Sequence, residues 1–449
     1  MTTKAPDQRP EDRWHAARLI PAVGIKGQTE QEMRATSSLL AVMLAVPDFG
    51  RDIVSRLGAP AGRISTFTEV RFDEDEGKSL RPDGAIVVER GTKRWICLVE
   101  VKTGQAELQR SQVEDYLDLA RNRGFDGLLT ISNDIASDST EPPVTIDQRK
   151  AKGLAVHHLS WWRILTAAIV QKEHRGIDDP DQAWILGELI RYLEDERSGA
   201  SGFEDMGEKW TTVRDGARSM TLRQSDPAVH EVADAWEQFI EFVSLDLRQT
   251  LGAPVMPLWP RHTSRASRGT EASRSLAQDG ILSASIKVPD AAAPVNLEAN
   301  LRTRQLRTSA TIGAPKDGRP LTRINWMLRQ LKGMRPDLRV EVRYPSAREY
   351  PSALLEDAQK HPERLLYGPD PKREPRAFDL AIVGDMGRKR GKGPGSFAGD
   401  SRGQLLMFYR DVLQQIRAWQ PPAPRLPEAP EASGEAEDAL GISDEGETV

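Results

Sequence analysis

The spacing of apolar residues along the first 200 residues predicts alternating helices and strands. Met33, Leu40, Met43 and Leu44 recur at helical spacing before Pro47. Further on, the period shortens to two, as in half-buried strands. The predicted segments are a helix from residue 29, strands at 63–72, 81–90 and 94–103, a helix at 105–123, strands at 127–132 and 154–159, and helices at 161–171 and 181–196. This order predicts an α/β domain with a mixed sheet flanked by helices.

Turn and cap residues support these boundaries. Thr29, with Glu32 three positions later, has the pattern of a capping box, so we expect the first helix to begin there. Gly91-Thr92 is the expected hairpin turn between the second and third strands. Gly124 is the expected C-terminal cap of the helix that follows them.

The rest of the chain predicts a separate α+β domain after a Gly- and Ser-containing break at 198–202. Its expected elements are a helix at 227–251, a mobile loop at 261–280, strands at 281–288 and 295–312, a helix at 322–332, a strand at 338–344, a helix around 353–366, a strand at 378–383 and a helix at 404–419. We therefore expect a flexible arm at 1–28 with a short helical patch near Trp14, domains at 29–200 and 205–420, and a disordered acidic tail at 421–449.

Composition narrows the class of protein. Of 449 residues, 38% are hydrophobic and 29% are charged, which is enough apolar material for cores beneath a polar surface. Cys97 is the single cysteine, so a disulfide within the chain and a zinc site built from cysteines are both excluded. The first ten residues are polar, and no apolar run approaches the ~20 residues of a membrane helix. We expect a cytoplasmic protein.

Two carboxylates and a lysine fall close together in the predicted sheet. The third strand ends in Glu100-Val101-Lys102, and strand alternation puts Glu100 and Lys102 on one face. Asp83 begins the preceding strand, which the hairpin brings alongside Glu100. Burying such charges is unfavourable unless they are paired or bind a metal. Converging carboxylates suit Mg²⁺, and the alternative is a surface ion pair of Glu100 and Lys102 with Asp83 in a turn.

Pro82-Asp83 followed by Glu100-Val101-Lys102, over roughly residues 29–165, resembles the signature of the PD-(D/E)XK nucleases. The resemblance implies a restriction-endonuclease-like core for this part of the chain. It also implies that Asp83 and Glu100 hold Mg²⁺ or Mn²⁺ and that Lys102 is the catalytic lysine.

Members of this superfamily often carry further site residues on the two flanking helices. Gln112 and Tyr116, one helical turn apart, match the positions expected to contact phosphate or support the lysine. For the glutamate of the first helix we prefer Glu30, because Glu32 already has the capping role.

The function implied is metal-dependent hydrolysis of nucleic acid, DNA being favoured, in defence, restriction or repair, with a homodimer as one arrangement. One alternative is a non-catalytic nuclease-fold binding module in a stress-response or regulatory protein. Another is an interaction protein that acts through its basic segment and acidic tail.

The second domain carries a dense basic segment between Arg302 and Arg348. Twelve basic residues face three acidic ones there, which predicts either a phosphate-binding surface or a solvated face paired with the acidic tail. His157-His158 at a strand end are expected to be packing residues, and Cys97 is expected to lie in the core.

Overall fold

The structure, a computed structural model, describes residues 15–16, 27–73, 79–136, 140, 142–261, 263–389, 391, 393 and 395–420. The predicted acidic tail lies outside these residues, as does most of the predicted arm. Near Trp14 the structure has a two-residue strand, β1 (His15–Ala16), where we expected a helical patch. The reason is tertiary, because β1 pairs with an edge strand of the first sheet.

Residues 27–198 form a mixed α/β layer, as the periodicity predicted. Its strands are β2 (Arg63–Thr68), β5 (Gly84–Arg90), β6 (Lys93–Val101), β7 (Gly127–Ser132) and β8 (Ala155–Ser160), with β3 (Phe72–Asp73) and β4 (Ser79–Leu80) as a separate pair. Its helices are α1 (Gln28–Ala45), α2 (Pro47–Arg56), α3 (Arg110–Arg123), α4 (Gln148–Ala151), α5 (Trp161–Ile169) and α6 (Pro180–Glu194).

The first sheet is six-stranded, in the order β1-β2-β5-β6-β7-β8. Strands β2, β5 and β6 are antiparallel neighbours, whereas β7 and β8 continue the sheet in parallel to β6. Gly91 turns the β5–β6 hairpin with a φ of 60°, a left-handed value that favours glycine. A parallel connection needs a crossover, which α3 supplies between β6 and β7.

Both faces of this sheet are buried, which is why β6 reads as an almost continuous apolar run. The residues of β6 that point towards α1, α2, α5 and α6 include Cys97, Val99 and Val101. Those that point towards α3 include Ile96 and Leu98. The prediction that Cys97 is a core residue is confirmed, since it is fully buried.

The remaining described residues form a seven-stranded antiparallel sheet with helices, in the order β14-β13-β15-β12-β11-β10-β9. Its strands are β9 (Met256–Pro257), β10 (Ile281–Lys287), β11 (Val295–Asn300), β12 (Gln305–Gly313), β13 (Arg339–Arg343), β14 (Ser352–Leu354) and β15 (Ala377–Asp385). Its helices are α7 (Trp210–Ser219), α8 (Pro227–Leu251), α9 (Arg265–Asp279), α10 (Pro320–Gln330), α11 (Leu355–Lys360) and α12 (Phe397–Asp411). Helix α5 packs on α8, where the rings of Trp162 and Phe242 are 4.9 Å apart.

Several local predictions were wrong for identifiable reasons. The expected loop at 261–280 is helix α9, capped by the Ser264 side chain and by left-handed Gly280. It is helical because the small residues Gly269 and Ser273, together with Leu276, form a buried face, and the helix packs on α8. The capping box at Thr29 does not form. The N-cap residue of α1 is Gly27, and no side-chain hydrogen bond caps the helix. The segment 295–312 is a hairpin of two strands, and α7 was not foreseen. Among the described residues, no helix is both long and apolar enough to span a bilayer.

The close packing around Gly84 yields a stability prediction. A Cβ built on Gly84 would lie 2.6 Å from Leu40 Cδ1 and 2.8 Å from the Phe67 carbonyl oxygen, so part of the backbone must move. We expect Gly84→Ala to lower the unfolding free energy by about 1–3 kcal/mol in urea denaturation. Gly403→Ala is the matched control, because nothing lies within 4 Å of its Cβ and alanine favours helix. Equal stabilities for the two variants would contradict the packing argument.

Candidate active site

The β5–β6 hairpin determines where Asp83 lies. Gly84 pairs with Val99, so Asp83, one residue before β5, comes opposite Glu100. The Asp83 carboxylate Oδ2 accepts a hydrogen bond from the Val101 backbone N–H at 2.8 Å. Glu100 itself is on β6 and is 1% exposed. The two carboxyl groups therefore meet at the end of β6, as the hairpin argument predicted.

The Asp83–Glu100 contact is electrostatically unfavourable when both groups are ionised. The two side chains are within hydrogen-bonding reach, which two carboxylates exploit only when one holds a proton. Burial, and next the charge of Asp83, raise the pKa of Glu100 to about 8, although Lys102 opposes this shift. Burial also raises the pKa of Asp83. Without a further cation, the pair therefore holds a proton at neutral pH.

Lys102 supplies the positive charge of the cluster. Its Nζ lies 2.6 Å from Glu100 Oε1 and 3.7 Å from Glu32 Oε2. Burial alone would lower the pKa of Lys102, but the carboxyl groups of Glu100, Asp83 and Glu32 together raise it. The lysine therefore stays protonated and acts as a fixed cation.

The structure brings Glu32, and not Glu30, to the lysine. Burial raises the pKa of Glu32, and the Thr103 backbone donates a hydrogen bond to its carboxyl group. Glu30, which we preferred from the sequence, is buried on α1 beside Arg34, with 3.5 Å between Glu30 Oε1 and Arg34 Nη2. The sequence favours Glu30 only because Glu32 is expected to cap α1, and that cap does not form. The rotation of α1 over the sheet decides which glutamate reaches the site.

Gln112 and Tyr116 also join the cluster, from α3. Gln112 Nε2 donates to the Tyr116 hydroxyl at 3.2 Å, and that hydroxyl donates to the Arg81 carbonyl at 3.0 Å. Burial, followed by the charge of Glu100, raises the pKa of Tyr116. Tyr116 is only 4% exposed, and its ring belongs to the core between the sheet and α3. Gln112 is the more accessible of the two.

The residues present fit a hard divalent cation held by two protein ligands. Glu100 Oε2 is buried and has no hydrogen-bond donor among the described residues, and it neighbours Asp83. A cation there would satisfy this oxygen and remove the repulsion between the carboxylates. No group of three or more His, Cys, Asp or Glu side chains within the described ranges is placed to bind a metal. Two carboxylates are sufficient for Mg²⁺, because this ion is often held by one or two carboxylates together with water and phosphate.

His158 lies on β8 but takes no part in the acidic cluster. Its Nδ1 is 3.0 Å from Thr130 Oγ1, and its Nε2 is 2.9 Å from the Asp134 carbonyl oxygen. Burial lowers the pKa of His158 to about 4, so the ring is neutral at physiological pH. With both ring nitrogens bonded, His158 is a packing residue, as expected from the sequence.

The basic segment of the second domain is divided between structural and free side chains. Arg307 and Arg343 both pair with Asp379, and Arg323 is buried against the Lys316 and Gly318 carbonyl oxygens. Six exposed residues of the segment have no ion-pair partner among the residues described: Lys316, Arg319, Arg329, Lys332, Arg339 and Arg348. A phosphate-binding surface therefore remains a prediction that rests on fewer side chains than the sequence suggested.

Comparisons with protein-family models, with curated proteins and with solved structures found no match for this chain.

The raised pKa of Glu100 predicts a pH-dependent stability. The folded state binds the Glu100 proton more tightly than the unfolded state does. Protonation of Glu100 therefore stabilises the fold fully below the ordinary glutamate pKa, and this stabilisation is lost as pH rises through about 8. In metal-free buffer, we expect the unfolding free energy of wild type to fall more steeply over this range than that of Glu100→Gln. Glu107→Gln, an exposed control, should retain the wild-type profile. Urea denaturation at a series of pH values measures the difference, and parallel profiles would refute the assignment.

Proposed function

We propose that the first domain hydrolyses phosphodiester bonds of nucleic acid at the Asp83–Glu100–Lys102 cluster, using Mg²⁺ or Mn²⁺. The observation that carries the proposal is the buried Glu100 carboxyl, which contacts a second carboxyl on one side and an ammonium group 2.6 Å away on the other. Buried carboxylates that converge in this way are unfavourable unless they serve a cation or a proton. The resemblance to the PD-(D/E)XK signature and to its restriction-endonuclease-like core supports the same reading.

Asp83 and Glu100 would hold the metal, each through a carboxylate oxygen. When bound, such an ion supplies Lewis-acid stabilisation of the phosphate and a bound water of lowered pKa. Asp83 is prepared for this role by the Val101 N–H, which fixes one of its oxygens at 2.8 Å. Glu100 is prepared by burial, because no competing protein donor occupies Oε2 in the described part of the chain.

Lys102 would stabilise the negative charge that builds up on the attacked phosphate. Its pKa is raised by three carboxyl groups, so it acts as a cation and not as a general base. Glu32 contributes to that shift, and its Oε2 lies 3.7 Å from Lys102 Nζ. We assign Glu32 as a positioning residue that keeps the ammonium group charged and in place.

Nucleic acid is the proposed substrate class, with DNA favoured. Gln112 is half-buried beside the cluster, and its amide nitrogen, which donates one hydrogen bond to Tyr116, would donate its second to a phosphate oxygen. The exposed cations Lys316, Arg319 and Arg329 on the second domain would add sequence-independent contacts to the backbone. The proposal places the protein in the cytoplasm, in defence, restriction or repair, and cleavage of both strands of a duplex would call for two copies.

Removing Asp83 tests the metal site. Asp83→Asn retains an oxygen that accepts the Val101 N–H but loses the charge, so we expect the fold to survive and Mn²⁺ binding by calorimetry to be lost. Asp126→Asn is the matched control, because it removes the charge of an aspartate whose Oδ2 likewise accepts a backbone N–H, that of Ile96 at 2.7 Å. Wild-type Mn²⁺ affinity in Asp83→Asn would contradict the assignment.

Removing Lys102 tests catalysis separately from metal binding. We expect Lys102→Ala to keep Mn²⁺ binding and to slow cleavage of labelled DNA by about 10²-fold or more, as is typical when one catalytic charge is lost. Lys93→Ala, at the exposed start of the same strand, is the matched control and should cleave as wild type does. If Lys102→Ala cleaved at the wild-type rate, or if wild type cleaved neither DNA nor RNA, the nuclease proposal would fail.

A further inference from the structure

A cavity beside the seven-stranded sheet, separate from the Asp83–Glu100–Lys102 cluster, has the features of a small-molecule site. It has a volume of about 540 Å³ and lies between helices α8 and α9 and strands β10, β11 and β12. Ligand sites commonly enclose about 300–1,000 Å³ and combine apolar walls with a few converging polar groups. We call it the tryptophan pocket, after Trp236 and Trp259 in its wall.

The aromatic wall is held rigid by ionic contacts. The guanidinium of Arg268 lies 5.1 Å from the centroid of the Trp259 ring. Arg268 is in turn fixed by Glu237, with 2.6 Å between Nη2 and Oε1, and by the Thr263 carbonyl oxygen. The indole N–H of Trp259 is buried and has no acceptor within the part of the chain that the structure describes. A fixed aromatic surface with an unused donor is suited to a flat ligand that carries an acceptor.

The floor of the pocket carries one unpaired carboxylate. On β11, Glu298 has Ser283 and Arg307 as cross-strand neighbours. Arg307 bonds to Asp379 instead, and Glu298 has neither a hydrogen bond nor an ion pair with any described residue. Beside it, Asn296 accepts the Ser285 hydroxyl at 2.6 Å. The other charges that line the cavity are paired, Glu271 with Arg274 among them.

These charges select the chemical class of the ligand. An anion is disfavoured because Glu298 would repel it. A cation is disfavoured at the aromatic wall because Arg268 already lies over the Trp259 ring. A neutral, planar heterocycle with adjacent N–H donors satisfies both limits, since it can stack on an indole and donate two hydrogen bonds to one carboxylate.

We propose that the tryptophan pocket binds a guanine-type base, with Glu298 accepting hydrogen bonds from its ring N–H and exocyclic amino group while Trp259 provides the aromatic surface. The base could belong to a free nucleoside or to an unpaired position of a nucleic-acid strand, and the chemistry of recognition is the same. The proposal does not depend on the nuclease activity proposed for the first domain.

The test uses the full chain, with guanosine and adenosine as the probes, and follows binding by calorimetry and by tryptophan fluorescence. Adenosine presents one amino donor beside a ring-nitrogen acceptor, whose lone pair would face Glu298. We expect guanosine to bind wild type at least about tenfold more tightly than adenosine, because a hydrogen bond to a charged group is involved. A thymidine oligonucleotide with a single guanine shows whether the base is preferred free or within a strand.

The variants assign the contact to particular residues. Glu298→Gln should weaken guanosine binding by roughly 10- to 100-fold and abolish the preference over adenosine. Glu341→Gln, on strand β13 of the same sheet and outside the cavity, should bind as wild type does. Trp259→Phe should weaken both probes alike. Equal affinities of wild type for guanosine and adenosine would overturn the proposal, as would unchanged guanosine binding by a folded Glu298→Gln protein.

Discussion

The candidate active site depends on one constraint. The carboxyl groups of Asp83 and Glu100 are so close and so deeply buried that ionising both of them is unfavourable. Asp83 and Glu100 are forced together by the pairing of Gly84 with Val99, and burial of β6 on both faces keeps water from separating them. Their repulsion is relieved by a proton, by Lys102 and, in the proposed function, by a divalent cation. Each of these partners is a cation, so the cluster attracts positive charge even without a substrate.

The surrounding elements hold this cluster at the end of β6. The Lys102 backbone carbonyl accepts a hydrogen bond from the Trp161 indole at 2.9 Å, and its N–H donates to the Ile131 carbonyl at 2.8 Å. Asn133 donates to the Gly104 and Gly199 carbonyl oxygens, at 2.9 Å each. The strand end is thus fixed from β7, from α5 and from the segment after α6. In the proposed function, such rigidity would favour catalysis, because a small displacement of a catalytic charge slows the reaction.

In the seven-stranded sheet, the buried carboxylate is neutralised by arginines of the same sheet. Asp379, on the interior strand β15, binds Arg307, Arg343 and the Thr311 hydroxyl through one buried carboxylate. This network stabilises the polar side of the sheet and leaves Glu298 without its cross-strand arginine. The same arrangement therefore removes two arginines from any phosphate-binding surface and creates the unpaired carboxylate of the tryptophan pocket.

Local sequence patterns determined the β5–β6 hairpin, the common face of Glu100 and Lys102, and helix α8, whose bounds match the prediction. These features depend on periods of 2 and 3.6 residues and on turn chemistry, which short stretches of chain contain. Only the tertiary structure decided that Glu32 and not Glu30 reaches Lys102, that Arg307 pairs with Asp379, and that Glu298 is left unpaired. Each of these depends on how distant elements rotate and pack, and no local period specifies that rotation.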